Sequence, residues 1–182
     1  LVTAMDRPLG CGIGNRLEVV ESIACLQGGG PSDLREIVLA LCGDPRAADV
    51  LDSGAAFERF GRMVEAQGGD RRSLDDVERL NGAGCSEFEI CATSDGFLCQ
   101  VDALAMGRAA FLLGAGRRRA EDPVDFGVGL QLCAQLGDAV TAGQPLVRVL
   151  HRSGAGLDEA RRHLEEGLVV GGPNQLKIIG LT

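Results

Sequence analysis

The chain contains two short stretches whose residue types could bind an ion. The first is GCGIGN at positions 10–15, which resembles the GxGxxG turn that holds a dinucleotide phosphate between a strand and a helix. That fingerprint requires a third glycine where this chain has Asn15. The residues therefore favour an ordinary strand-to-helix turn, with phosphate binding as the alternative.

The same turn also offers the groups that a hard monovalent cation needs. Such ions prefer oxygen ligands, and a glycine-rich turn can supply backbone carbonyl oxygens to which one carboxylate is added. Glu18 and Glu21 follow on the predicted helix, and either could supply that carboxylate. A cation site is therefore a further hypothesis for this segment.

The second stretch is the run of three arginines at positions 117–119, within the segment LGAGRRRAEDPVD. Adjacent guanidinium groups could bind an anion such as phosphate. Three acidic residues follow, Glu121, Asp122 and Asp125, and these can compensate the positive charge. Because exposed charge runs are usually solvated, the pattern favours a mobile surface loop over a phosphate ligand.

Composition excludes several classes of function. The chain of 182 residues carries a formal net charge of −8, and it has no Trp, no Tyr and six Phe. Nucleic-acid binding is not expected, because it requires a basic face and usually aromatic rings on which bases stack. No apolar run is long enough to cross a membrane, so no membrane partner is expected.

The cysteines and histidines form no recognisable metal or catalytic pattern. There is no CxxC pair, and the only histidines are His151 and His163. A zinc site needs clustered ligands and is therefore excluded, and each histidine is predicted to be structural rather than a general base. We predict seven small buried thiols in a reducing cytoplasm, at positions 11, 25, 42, 85, 91, 99 and 133.

Hydrophobic periodicity predicts helices in the first part of the chain. The segment LVTAM reads as a buried strand that leads into the glycine turn, and QGGDRRS at 67–73 reads as a linker. Helices are predicted from Asn15, from Pro31, over 46–51 and over 55–66.

After Gly84 the pattern changes to strands. EFEICA and GFLCQV alternate around Ser94-Asp95-Gly96, which is typical of a β-hairpin. Asp102 can cap a helix, and GLQLCAQLGDAVTAGQPLVRVL predicts a strand, a turn and a second strand. GLDEARRHLEEGL predicts a short amphipathic helix, and QLKIIGL predicts a final strand.

The segment LGDAVTAGQPL at 136–146 is similar to biotinyl- and lipoyl-type barrels, in which two turns flank a short strand. Those carriers attach their cofactor to a lysine at a hairpin tip. The only lysine here is Lys177, in the predicted last strand. A carrier is therefore not expected, whereas a non-catalytic barrel-type binding or interaction module is an alternative function.

Three longer segments, taken together, resemble one enzyme family. AMDRPLGCGIGNRLEVVESI, GAAFERFGRMVEAQGGD and the segment from DGFLCQ to QPLVRV are similar to thymidine phosphorylase and the related pyrimidine-nucleoside phosphorylases. The resemblance runs in order over residues 1–152. The tail GGPNQLKIIGLT does not match it, and the chain is shorter than the family between Cys42 and Ala47.

The resemblance implies an α/β fold with three parts. Residues 1–80 would be the C-terminal part of the glycosyltransferase-type α/β domain, 85–152 a small, barrel-sandwich-like α+β C-terminal domain, and 153–182 a final helix and strand. The chain would be less than half of a pentosyltransferase. Such an enzyme cleaves pyrimidine nucleosides reversibly with phosphate, giving the base and a sugar 1-phosphate, and works as a cytoplasmic homodimer.

The resemblance also bears on individual residues. The family's phosphate loop and its pyrimidine-gripping residues lie in the N-terminal portion and have no counterpart here, so no catalytic residue is assigned and this chain alone is expected to be inactive. Some members bind a potassium-like cation through two turn carbonyls and a glutamate, which correspond to Leu9, Gly12 and Glu21. No organic cofactor is implied. The arginine segment corresponds to a loop near the cleft between the two domains.

Overall fold

The structure, a computed structural model, describes residues 3–76, 84–152 and 154–175. The first part of the chain is helical, as the periodicity predicts. A two-residue strand precedes a series of helices, which are β1 (Gly12–Ile13), α1 (Asn15–Leu26), α2 (Ser32–Cys42), α3 (Ala47–Asp52), α4 (Ala55–Ala66) and α5 (Arg72–Asp75).

A small apolar core joins three of these helices. Ile23 on α1, Phe57 on α4 and Leu74 on α5 are buried against one another. The segment predicted as a linker at 67–73 therefore runs into a short helix, and that prediction is wrong at its C-terminal end. The burial of Leu74 stabilises this helix, because the transfer of an apolar side chain out of water is favourable.

The second part of the described chain contains the remaining strands and two α-helices. They are β2 (Ser86–Cys91), β3 (Gly96–Val101), α6 (Ala103–Ala110), β4 (Gly129–Leu132), β5 (Ala139–Val140), β6 (Pro145–His151), α7 (Leu157–Gly167) and β7 (Leu168–Gly171). The strands form two antiparallel sheets, with the orders β1-β4-β6-β2 and β5-β3-β7. The protein is thus of mixed α/β class, as expected.

The predicted hairpin between β2 and β3 is wrong, because the two strands belong to different sheets. β2 pairs with β6, with Phe88 opposite Val149, and β3 pairs with β5 and β7. The turn that follows β2 bonds to another turn rather than closing a hairpin. The Ala92 N–H donates to the Gln144 carbonyl at 2.9 Å, and the Gly143 N–H donates to the Ala92 carbonyl at 2.8 Å.

The main core lies between these sheets and the helices α6 and α7. Asp102 caps α6 as predicted, and its carboxylate accepts a hydrogen bond from the Ala105 N–H at 2.7 Å. α6 continues into a wide π-type turn, Phe111–Ala115, in which Gly114 has a φ of 105°. The fully buried side chains of this core include Leu98, Met106, Leu130, Val147 and Leu164.

Several other predictions can be compared with the structure. The described part of LVTAM, residues 3–5, is not a strand, and Met5 is 83% exposed. The predicted helix over GLDEARRHLEEGL is confirmed as α7, while β7 was not predicted. From residue 176 the predicted last strand, with Lys177, lies outside the described residues.

The prediction of buried thiols holds for Cys25 and Cys99 only. All seven cysteines are free, and Cys42 and Cys133 are exposed. An apolar neighbourhood in sequence does not show which face of an element a side chain occupies, and this accounts for the difference. Among the described residues, no helix is long and apolar enough to cross a membrane.

The start of α7 gives a test of the packing around α6. Gly156 has a φ of 72°, and a Cβ there would collide with the Leu112 carbonyl oxygen. Gly154 has the same φ of 72° but open space around it. Gly154→Ala should therefore cost only the left-handed strain of about 1–2 kcal/mol, whereas Gly156→Ala should cost clearly more.

The measurement is the free energy of unfolding of both variants in urea. Because the backbone strain is the same in the two, the difference between them reports the contact with Leu112. Equal losses in the two variants would show that this close approach does not contribute to stability.

Candidate cation site and the adjoining arginine loop

The glycine turn is built around the side chain of Glu21. The Cys11 and Gly12 N–H groups both donate to Oε1 of Glu21, at 2.8 and 3.1 Å. Gly10 has a φ of 73°, and a Cβ at this position would collide with the Glu21 carboxylate. Glycine is therefore required at position 10 both by the backbone conformation and by the space that the carboxylate occupies.

Two further carboxylates bind the ends of the same turn. The Gly10 N–H donates to Asp33 Oδ2 at 3.0 Å, and the Gly14 N–H donates to Glu18 Oε1 at 3.0 Å. A nucleotide phosphate would need the N–H groups of this turn as its donors. Because the protein's own carboxylates already use them, the arrangement favours the structural turn over a dinucleotide site.

Burial and the two neighbouring carboxylates influence the protonation of Glu21. Burial raises the pKa of the Glu21 carboxyl above its usual value, and the negative charges of Asp33 and Glu18 raise it further, while the two backbone hydrogen bonds act in the opposite direction. The ionised form of Glu21 is thus less favourable here than in water. A cation beside it would offset both the burial and the repulsion.

Of the three residues predicted to bind a cation, Gly12 and Glu21 are in contact through the Gly12 N–H, and their role as ligands stays a prediction. The Leu132 N–H donates to the Cys11 carbonyl at 2.8 Å, and the Gly12 N–H of the same planar trans peptide points the opposite way, toward Glu21 Oε1. The contact between Gly12 and Glu21 is therefore made by the Gly12 N–H, whereas the predicted ligand is the Gly12 carbonyl.

Leu9, the third predicted ligand, is placed less directly. The Gly10 N–H points to Asp33, and the Leu9 carbonyl of the same planar trans peptide points the opposite way. Within the described residues no group of three or more His, Cys, Asp or Glu side chains could hold a metal, so a cation here would depend on backbone oxygens.

Asp33, on α2, binds the glycine turn, and the sequence did not indicate this contact. Its two carboxylate oxygens accept hydrogen bonds from the Gly10 and Leu34 N–H groups, at 3.0 and 2.8 Å. An acidic residue at a helix start is too common to indicate a contact with a turn 23 residues away.

The three arginines of the run have internal partners in the structure. Arg117 donates to the Ala120 carbonyl at 3.0 Å, Arg119 forms an ion pair with Asp122 at 3.1 Å, and the Arg118 guanidinium lies 5.9 Å from the centre of the Phe111 ring. Each of these contacts is local. This arrangement favours the prediction of a surface loop over one of an anion site.

The acidic residues after the run act differently from one another. Asp122 compensates Arg119 as expected, whereas Asp125 pairs with Arg152 at 2.6 Å. The Arg152 hydrogen bond holds the pKa of the Asp125 carboxyl below its usual value. The expectation that Asp125 compensates the arginine run is therefore wrong, because the fold brings a cation from the end of β6 next to it.

The structure shows a packing contact for one of the two histidines. His151 packs edge-on against Phe88, with ring centres 5.9 Å apart. This is a packing role, in agreement with the prediction for this histidine.

Comparison with known proteins adds to the geometry. Residues 97–170 match the model of the pyrimidine nucleoside phosphorylase C-terminal domain, so the match extends beyond the expected boundary at 152. The chain is 38% identical over 174 residues to a pyrimidine-nucleoside phosphorylase of Bacillus subtilis, which covers 87% of this chain and 40% of that protein.

Two further relatives give the same result. The chain is 38% identical over 193 residues to a thymidine phosphorylase of Homo sapiens, covering 93% of this chain and 40% of that protein. It is 34% identical over 185 residues to a pyrimidine-nucleoside phosphorylase of Staphylococcus aureus, covering 93% and 42%. The chain thus spans about two fifths of the length of these relatives. It belongs to the thymidine phosphorylase and pyrimidine-nucleoside phosphorylase family and includes the domain that forms the family's C-terminal part.

Proposed function

We propose that this chain is part of an enzyme for the reversible phosphorolysis of pyrimidine nucleosides or deoxynucleosides. The products are the free base and ribose or deoxyribose 1-phosphate. The observation that carries this proposal is the identity of 38% to two phosphorylases across nearly the whole chain. The complete enzyme is proposed to be a cytoplasmic homodimer, as the resemblance implies.

The division of labour within this enzyme is also a proposal. Residues 1–80 complete the α/β domain, residues 85–152 form a barrel-sandwich-like domain, and 153–182 add the final helix and strand. The transition state of such a reaction develops positive charge on the sugar, so catalysis depends on the placement of phosphate and on protonation of the base. The groups for both tasks are proposed to lie upstream of this chain, and no residue described here is proposed to be catalytic.

The glycine turn is proposed to bind a monovalent cation such as potassium through the Leu9 and Gly12 carbonyls and Glu21. Support comes from the hydrogen bonds that hold the Glu21 carboxylate against the turn, and from the burial that raises the pKa of Glu21. When bound, the ion would neutralise the carboxylate. Its role would be to hold the turn that joins β1 to α1, and it would take no part in bond cleavage.

The first prediction concerns activity. The 182-residue chain should release no thymine from thymidine and phosphate, because it lacks the phosphate loop, whereas the natural protein that carries this sequence should release it. Chromatographic measurement of free base checks both. Thymine release by the 182-residue chain would contradict its expected inactivity, and no base release from any pyrimidine nucleoside by the natural protein would contradict the proposed function.

The second prediction concerns potassium. Potassium chloride should raise the melting temperature of the chain above that in tetramethylammonium chloride of equal concentration. Binding to the folded state alone would contribute about 2.7 kcal/mol when the ion is at roughly a hundredfold excess over its dissociation constant. Glu21→Gln keeps an oxygen that can accept the two backbone hydrogen bonds but removes the charge, and it should abolish the difference between the salts.

The control for this experiment is Glu159→Gln, which removes an exposed carboxylate from α7 and should leave the potassium effect unchanged. The pH dependence gives a second readout. Because the pKa of Glu21 is raised in the folded protein, protonation stabilises the fold as the pH falls through that pKa, and this contribution is lost as the pH rises. Potassium and the proton compete for the Glu21 carboxylate. As the pH is lowered, the stabilisation by potassium should therefore be lost at a higher pH than it would be if Glu21 had the usual pKa of a glutamate. Equal melting temperatures in both salts for the unmodified chain would refute the site.

The third prediction concerns the arginine run. Arg118→Ala should leave the phosphate affinity of the natural protein nearly unchanged, because Arg118 lies against Phe111 and its neighbours have local partners. Loss of a charge-assisted contact with phosphate would instead weaken binding by roughly ten- to a hundredfold. Phosphate titration of the two proteins distinguishes these cases, and a tenfold loss would make Arg118 a ligand.

A further inference from the structure

The arginine loop, defined here as residues 114–127, is fastened at both ends to successive residues of α1. The Asn15 side-chain amide donates to the Ala115 carbonyl at 3.0 Å. The Arg16 guanidinium donates to the Gly127 carbonyl at 3.2 Å. Since the two contacts come from adjacent positions in the first turn of α1, a shift of this turn would strain both ends of the loop together.

The first turn of α1 cannot move independently of the glycine turn. Glu18 on α1 accepts a hydrogen bond from the Gly14 N–H at 3.0 Å. Gly14 also packs closely against Val128, the residue that precedes β4. A Cβ at position 14 would lie only 2.8 Å from the Val128 carbonyl oxygen. The backbone from the Glu21 contacts to Arg16 is therefore one tightly packed unit.

The two ends of the loop are held to different degrees. At the second end, Asp125 pairs with Arg152 at 2.6 Å and accepts from the Gly127 N–H at 2.9 Å, so this end has anchors besides Arg16. At the first end, Asn15 supplies the side-chain contact to Ala115, and the Asp125 N–H closes the base of the loop on the Gly114 carbonyl at 2.9 Å. Between the ends the arginines have only local partners.

A loop of this kind can open without disturbing the core. The middle of the loop is exposed, and its arginines have only local partners. Segments of this kind open locally at a low cost in free energy. The population of the open form depends on the contacts at the two ends, and hydrogen bonds of this kind each contribute about 1 kcal/mol.

We infer that Asn15 and Arg16 are positioning residues that couple the arginine loop to the glycine turn. When Glu21 holds the turn in place, both ends of the loop keep their contacts with α1 and the loop backbone is held in the conformation seen here. When the Glu21 contacts are lost, the first turn of α1 shifts and the loop opens. The coupling follows from the packing alone. That a monovalent cation acts as the effector rests, in addition, on the proposed function of the turn.

The experiment is a mutant cycle read by limited trypsin digestion of the full 182-residue chain. Four proteins are compared, namely the unmodified chain, Glu21→Ala, the pair Asn15→Ala with Arg16→Ala, and the combination of all three. Intact-mass analysis gives the cleavage rate after residues 117–119. Cleavage at Arg46 and Arg72, whose side chains are 81% and 86% exposed, serves as an internal reference in each digest.

The expected result is a non-additive cycle. Glu21→Ala should accelerate cleavage in the arginine loop by roughly five- to thirtyfold, the factor that a loss of one to two hydrogen bonds gives in an opening equilibrium. Cleavage at the reference positions should not change. In the background without Asn15 and Arg16, Glu21→Ala should cause no further acceleration, because the link to the loop is already broken. Equal acceleration in both backgrounds, or none in either, would overturn the inference.

A second series separates the coupling from the cation proposal and does not depend on the stability of Glu21→Ala. Digestion and melting of the unmodified chain and of Glu21→Gln are compared in potassium chloride and tetramethylammonium chloride. If potassium raises the melting temperature through Glu21 but leaves cleavage of the loop unchanged, the coupling is wrong while the cation site stands. If potassium changes neither property and the mutant cycle is non-additive, the coupling stands and the cation proposal is wrong.

Discussion

The backbone N–H groups of the glycine turn determine how the two halves of this protein meet. Buried donors must find acceptors, and here three carboxylates supply them. Glu18 and Glu21 come from α1, which follows the turn, and Asp33 comes from α2. The turn therefore ties these two helices to β1. Since β1 pairs with β4, the same turn also connects the helical part of the chain to the four-stranded sheet.

Concentrating three carboxylates around one turn has an electrostatic cost. Burial and the neighbouring charges raise the pKa of Glu21, so its ionised form is less favourable here than in water. The hydrogen bonds from Cys11 and Gly12 offset part of this cost. The cation proposal and the coupling proposal both start from this balance between hydrogen bonding and charge repulsion.

The arginine loop illustrates why a charge run is a weak indicator of function. Its composition is that of an anion site, but the fold supplies a carbonyl, a ring and a carboxylate to the three side chains. The loop's anchors involve Asn15, Arg16 and Arg152, and the sequence does not indicate that any of them contacts this loop. A contact between residues so distant along the chain depends on the arrangement of α1, α6 and β6.

Much of the protein could be read from its residues without coordinates. Helix positions followed from periodicity, the cap at Asp102 followed from its place before an apolar run, and the family followed from long segments whose order and glycine positions are specific. These features are local, because a helix or a cap depends on neighbours within a few residues. That Glu21 lies beside the turn was also accessible, since turn and helix are adjacent, while its role as a cation ligand stays a prediction.

Pairings between distant residues could be decided only by the tertiary structure. Alternation in β2 and β3 shows that one face of each strand is buried but does not name the partner strand, and so the expected hairpin was replaced by two separate sheets. For the same reason, the sequence did not indicate the contact of Asp33 with the turn or the ion pair of Arg152 with Asp125. In each case the chemistry of the side chain was visible, while its partner was chosen by the packing of elements far apart in the chain.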